Sequence, residues 1–303
     1  MHRRHFLRNT GILTGASFLF QSNAFASFFR PFEYKVTMLR RNVGIFTERG
    51  GTIGFLLTKD GALVIDSQFP DTSPHLIDEI NKQATAPIKF LLNTHHHGDH
   101  SSGNIAFKGI AEQVVAHKNA DINMRSVAEK SKTTDKQLFP TQTFDKELKL
   151  KIGDEKITGY YFGAGHTNGD AIYHFGEANI MHLGDLMFNK RHPFVDRTAG
   201  ANMESWIKVL DNVQKKGNKD TIYIFGHSLN PGEETGSVEN IKKFQDYLGK
   251  VLQFAEAEIK KGVSRDEFLK NTAVPGVTEW SGQGIERPLG AAYDELTEKN
   301  KKA

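Results

Sequence analysis

The strongest constraint on this chain is a junction, where an apolar run at residues 88–92 stops at Asn93 and Thr94-His95-His96-His97-Gly98-Asp99-His100 follows. A short apolar run bounded by turn residues reads as a buried strand. Four histidines and one aspartate therefore crowd into six positions at the end of a strand. Neutral imidazole and carboxylate are the usual ligands of zinc and related divalent ions. A tight turn can point His95 and His97 to one side and Asp99 and His100 to the other. Gly98 is expected to supply the backbone freedom for that turn. One metal on each side is the consequence.

Three later residues join the set: His166 in Gly165-His166-Thr167, Asp185 in Leu183-Gly184-Asp185, and His227 in Phe225-Gly226-His227. Each follows a glycine and lies at or just beyond the end of an expected strand. The surrounding pattern has two similar halves. Strands are expected at 36–39, 43–47, 53–58, 62–65, 88–92 and 113–116, with helices at 73–84 and 118–129. The second half repeats the style, with strands at 148–152, 157–162, 171–175, 179–183 and 221–225 and a helix at 203–216. Residues 130–143 are polar and read as a surface loop over the site. Beyond 236 the chain is expected to be helical, with Ile241, Phe244, Leu248 and Val251 near helical spacing. Two strand-rich halves flanked by helices imply two packed sheets with helices outside.

Composition narrows the chemistry. The chain has no cysteine, which removes disulfides, thiolate zinc sites and cysteine nucleophiles. Arg3-Arg4-His5-Phe6-Leu7-Arg8 matches the twin-arginine export pattern, and Ala24-Phe25-Ala26 supplies a small-x-small cleavage signature. Residues 1–26 are expected to be a signal removed after Ala26, leaving a periplasmic or otherwise exported protein. Three of the 39 basic residues (Arg3, Arg4 and Arg8) lie in that segment, so the remainder balances 36 acidic residues. No basic excess is left to attract nucleic acid, and the apolar part of the signal is too short to span a bilayer. The expected partner is a small-molecule substrate.

The set His95, His97, Asp99, His100, His166, Asp185 and His227 resembles that of the metallo-β-lactamase-fold hydrolases, whose H-x-H-x-D-H motif is complete here. Asp66, after the Gly-Ala-Leu-Val-Ile run, resembles the family's early aspartate that props the metal loop. The resemblance spans roughly residues 43 to 230. It implies a four-layer αββα sandwich at 27–235, with 236–303 as a helical C-terminal extension packed on it. It further implies that His95, His97 and His166 hold one metal, that Asp99, His100 and His227 hold the other, and that Asp185 bridges them. The two divalent ions would be zinc first, with iron or manganese also suited to the donors. A shared water would become hydroxide near neutral pH, oriented by Asp99 as catalytic residue, and would cleave an ester, thioester or amide bond.

The finer resemblance is to glyoxalase II-type thioesterases and exported metallohydrolases. Many metallo-β-lactamases carry Cys or Ser where Asp185 stands, so β-lactam hydrolysis is the alternative. Iron-dependent redox relatives typically place an acidic residue at the position of His97. Phe188, Arg191 and His192, shortly after Asp185, are candidates for the substrate pocket. His96 is expected to point away from the metals, and His117, His174 and His182 to be structural.

Overall fold

Along the strands, side chains alternate between two apolar faces, and that period of two separates the protein into layers. The computed structural model describes residues 33–83 and 86–302; the segment expected to direct export, 1–26, lies outside the described residues. In chain order come β1 (Lys35–Arg40), β2 (Val43–Thr47), β3 (Ile53–Thr58), β4 (Gly61–Ile65), α1 (Ser73–Gln83), β5 (Ile88–Asn93), the single turn α2 (Gly98–Ser101), β6 (Ala111–His117), α3 (Lys118–Lys130) and β7 (Gln142–Phe144). These seven strands form one sheet in sequence order. β1 to β4 pair antiparallel, and β4 to β7 pair parallel. Parallel neighbours need long crossovers, which α1 and α3 provide.

The second half contains β8 (Glu147–Ile152), β9 (Glu155–Tyr160), β10 (Ile172–Phe175), β11 (Ile180–His182), β12 (Phe188–Asn189), α4 (Met203–Lys216), β13 (Ile222–Ile224), β14 (His227–Ser228) and β15 (Thr235–Gly236). Then follow α5 (Val238–Lys260), the short α6 (Arg265–Phe268) and α7 (Glu286–Lys302). The second sheet runs β15-β13-β11-β10-β9-β8, and β12 pairs with β14 separately.

Three apolar cores mark four layers. Phe55 and Val64 face out of the first sheet onto Leu76, Ile77 and Ile80 of α1. Leu56, Leu63 and Ile65 face inward to meet Tyr173, Phe175 and Ile180. Met181 and Tyr223 face out of the second sheet onto Trp206 of α4, Phe244 and Leu248 of α5 and Leu289 of α7. The αββα sandwich with added C-terminal helices expected from the sequence is the fold observed.

Two details differ from the sequence expectations. Residues 142 and 143 are not loop but part of β7, because Phe144 is buried between the sheets and draws the segment onto β6. The expected division at 235/236 falls inside β15, which pairs with β13. Moreover, α5 and α7 share their core with α4 and the sheet, so the extension is continuous with the sandwich. Among the described residues, no helix is long and apolar enough to cross a membrane.

Candidate metal centre

The site forms where strands end. Ligands gather beyond the carboxyl ends of parallel strands because the backbone there is free of sheet pairing. Asp66 leaves β4 with φ of +66°, a conformation uncommon for a side chain larger than glycine, though Asp tolerates it. Its buried carboxylate holds it there. Oδ1 accepts from the Thr94 backbone N–H at 2.7 Å. Oδ2 accepts from the Thr94 hydroxyl at 2.7 Å and from His100 Nδ1 at 2.8 Å. Asp66 thus ties the end of β4 to the loop after β5 and orients one histidine.

The outward contacts of the other histidines assign their tautomers. The Thr94 hydroxyl spends its one proton on Asp66, so toward His95 it accepts, and His95 Nδ1 donates at 3.0 Å. His97 Nε2 donates to Asp196 Oδ2 at 2.9 Å. His166 Nδ1 donates to the Phe194 carbonyl at 2.8 Å. The inner nitrogens therefore carry lone pairs, yet His97 Nδ1 lies 3.0 Å from His95 Nε2 and 2.8 Å from His166 Nε2. Three imidazole nitrogens with lone pairs facing one point repel unless a cation sits among them. These donors fit a divalent ion.

Beside them, Asp99, His100 and His227 form a second cluster. His227 Nε2 lies 3.1 Å from Asp99 Oδ2 and 3.4 Å from His100 Nε2. Asp185 reaches both clusters. Its Oδ2 is 3.4 Å from His166 Nε2 and 3.4 Å from His227 Nε2, and its Oδ1 is 2.9 Å from His100 Nε2. That last pair is close but misaligned, so the buried Oδ1 has no hydrogen-bond partner. Oxygen and nitrogen aimed at a third point, rather than at each other, are what metal ligands look like.

The two clusters differ electrostatically. Burial pushes His95 well below its ordinary pKa and lowers His166 to about 3, so both are neutral and ready to ligate. At His100 and His227 burial acts the same way, but Asp185 and Asp99 outweigh it and raise both pKa values. Burial opposes ionisation of Asp99, yet His100 and His227 bring it down to about 2. Asp185 is held well below the carboxylate range by the same pair against strong desolvation.

Glycine at two positions is a steric requirement. A Cβ on Gly226 would sit 2.1 Å from Asp185 Oδ1, and Gly184, at φ +51°, abuts Thr94. Gly98 departs from expectation: it has no positive φ and opens α2 instead. The separation of His95 and His97 from Asp99 and His100 comes from the extended His97 passing into a helical turn.

The pocket candidates separate. Phe188 is buried and stacks on His227 at 5.3 Å, backing a ligand rather than lining an opening. His192 turns the other way, its Nδ1 at 2.8 Å from the Tyr247 hydroxyl of α5; the apolar C-terminal helices, not the pocket, hold it. Arg191 is exposed and bridges to Ser281. His96 belongs to neither ligand cluster and is buried against His97 and Asp196. Sequence reasoning missed Phe194, half exposed and 5.4 Å from the His97 ring. It also missed Asp196. Neither carries a local signal, since both lie in an irregular loop without periodicity.

The sequence model of the "Metallo-beta-lactamase superfamily" matches residues 46–227. Among curated proteins, the chain is 24% identical over 204 residues to metallo-beta-lactamase type 2 of Elizabethkingia meningoseptica, covering 64% of this chain and 79% of that one. It is 25% identical over 202 residues to metallo-beta-lactamase type 2 of Bacillus cereus, covering 63% and 75%. Among solved structures, the metallo-beta-lactamase from Pontibacter korlensis superposes with a TM-score of 0.58 at 22% identity, over 72% of this chain and 99% of that one. DIM-1 metallo-beta-lactamase gives 0.59 at 17% identity, over 72% and 97%. These structural likenesses speak to the fold.

Proposed function

The chain belongs to the metallo-beta-lactamase superfamily and is a metal-dependent hydrolase; from that premise we propose a binuclear enzyme, zinc-loaded and exported, that cleaves an ester, thioester or amide bond of a small substrate. The observation that carries the two-ion reading is the reach of Asp185. Its two oxygens face His166 on one side and His100 and His227 on the other. A carboxylate so placed would lie between two cations and screen their repulsion. When bound, the ions supply Lewis acidity and a water acidic enough to deprotonate near neutral pH.

The chain's own residues do the rest. His95, His97 and His166 would hold one ion through ring nitrogens, and Asp99, His100 and His227 would hold the other. Asp99 is partly exposed and would orient the attacking water by accepting a hydrogen bond from it. Phe188, behind His227, and the half-exposed Phe194, beside His97, keep the immediate surroundings apolar. Low polarity there strengthens every charge interaction at the reacting centre. Residues 1–26 carry the export function by the twin-arginine route.

A β-lactam substrate is the second reading, favoured by the names of the curated relatives. One experiment serves both. Purified protein is analysed for metals and assayed with a thioester, an aryl ester and a chromogenic cephalosporin, before and after chelation. Turnover of any of them, lost with chelator and restored by zinc, with two equivalents bound, supports the proposal. One equivalent or none, or turnover indifferent to chelator, refutes it. Cephalosporin turnover exceeding that of both esters would favour the second reading.

A further inference from the structure

One loop supplies two of the three ring-orienting contacts of the first cluster. The Phe194 carbonyl accepts from His166 Nδ1 at 2.8 Å, and Asp196 Oδ2 accepts from His97 Nε2 at 2.9 Å. The Asp196 backbone N–H also donates to the His166 carbonyl at 3.2 Å. Asp196 is itself fixed. Its Oδ1 accepts from the Thr198 hydroxyl at 2.5 Å and from the Ala199 N–H at 3.0 Å. The next residue leaves the site: Arg197 donates to Glu295 at 3.3 Å and to Glu298 at 2.7 Å, both on α7. Glu295 is buried, and it also accepts from the Met203 and Glu204 N–H groups at the start of α4, at 2.8 and 3.0 Å.

His96, His97 and Asp196 also bring donor atoms together, which raises the question of a further cation site. The geometry answers against it. His97 Nε2 and Asp196 Oδ2 face each other along a hydrogen bond, and His96 Nε2 stands 3.7 Å off. Asp196 therefore orients a ring rather than binding an ion.

We propose that Asp196 is a positioning residue for the first metal cluster, and that the clamp of Arg197 on Glu295 and Glu298 makes the C-terminal helix α7 a support for that cluster. Accepting the Nε2 proton leaves His97 in the one tautomer whose Nδ1 lone pair faces His95 and His166. Arg197 lies within the stretch matched by the superfamily model, residues 46–227, whereas its acceptors Glu295 and Glu298 lie beyond it. The C-terminal extension supplies only the acceptors. The inference rests on the two-ion reading above.

The test is equilibrium metal binding by the full-length protein, with zinc titrated against a chromophoric chelator and with cobalt as a spectroscopic probe. Partners that orient metal-bound histidines are typically worth 10–100-fold in affinity. Asp196→Ala should weaken one of two zinc equivalents by about that factor, leave the other in place, and alter the visible spectrum of a single cobalt equivalent. Asp196→Asn keeps a carbonyl oxygen for His97 and should lose less. Arg197→Met should weaken the same equivalent by a smaller factor. Arg265→Met, which removes the pair to Asp294 elsewhere on α7, should weaken neither. Thermal unfolding of each metal-free variant separates ring orientation from general damage.

If wild type takes up two equivalents and Asp196→Ala binds both at wild-type affinity, the inference falls while the two-ion reading stands. Equal weakening of both equivalents by Asp196→Asn, in a metal-free protein of normal stability, also overturns it. Failure of the wild type to take up two equivalents overturns the two-ion reading and the inference with it.

Discussion

Asp185 is buried among His100, His166 and His227 and faces both clusters. Replacing it with asparagine keeps its size and removes its charge. We predict that Asp185→Asn binds at least one zinc equivalent fewer and loses roughly 100-fold or more in kcat/KM, a barrier increase of about 2.7 kcal/mol. Elemental analysis and a saturation curve check both; unchanged stoichiometry and rate would exclude a bridging role. Asp170 offers a separate test. Burial raises its carboxyl to about 7, although the Thr167 hydroxyl and N–H donate to it. An acid whose folded pKa lies above its unfolded value of 3.8 destabilises the fold progressively as pH rises through that window. The penalty is absent below about pH 4 and complete above about pH 7. Asp170→Asn should therefore gain stability over wild type between pH 5 and pH 8, as read by the difference in Tm; a pH-independent difference would show that Asp170 does not titrate there.

At the scale of elements, α5 is legible from its residues alone. Ser237 precedes it and Ile241, Phe244, Leu248 and Val251 recur at helical spacing. In the fold Ser237 and Asn240 form a capping box, and those apolar residues are buried. Phe244 packs on Trp206, Phe188 and Trp280. We predict that Phe244→Ala costs about 3–5 kcal/mol by denaturant unfolding. Because Phe188 stacks on His227, that cavity should also weaken zinc binding slightly. A loss under 1 kcal/mol would mean that the outer core is looser than its packing implies. The longer strands are equally legible, since apolar runs and bounding turns carry them, whereas β7, β12, β14 and β15 are too short to show a pattern. The loop from 190 to 200 is not. It has no period, and its contacts to His97 and His166 are made by a backbone carbonyl and one aspartate. His192 misleads for the same reason: nearness to Asp185 in sequence does not reveal that Tyr247, 55 residues on, claims its ring.

For the molecule as a whole, metal and fold stabilise one another. A ligand that binds only the folded state adds about 2.7 kcal/mol at 100 times its dissociation constant, so zinc should raise Tm and chelator should lower it. The dependence on pH follows from the second cluster. His100 and His227 have raised pKa values in the metal-free fold. Their protonated pairing with Asp185 and Asp99 stabilises that fold fully below the unfolded histidine pKa and fades as pH rises through the folded values. Metal must displace those protons. Zinc uptake should therefore release protons, and affinity should rise from pH 6 to pH 8, measurable by calorimetry in buffers of different ionisation heat. Uptake without proton release would refute the assigned charge state.

Local chemistry alone determined the layers, the histidine-rich turn and the kinds of ligand gathered, because periodicity, capping and donor type are properties of neighbouring residues. Which nitrogen of each ring faces inward, how Asp185 stands between two clusters, and how α7 reaches the loop at Asp196 depend on residues as much as 101 and 127 positions apart. Such contacts exist only after the sheets have packed, so the tertiary structure alone decided them.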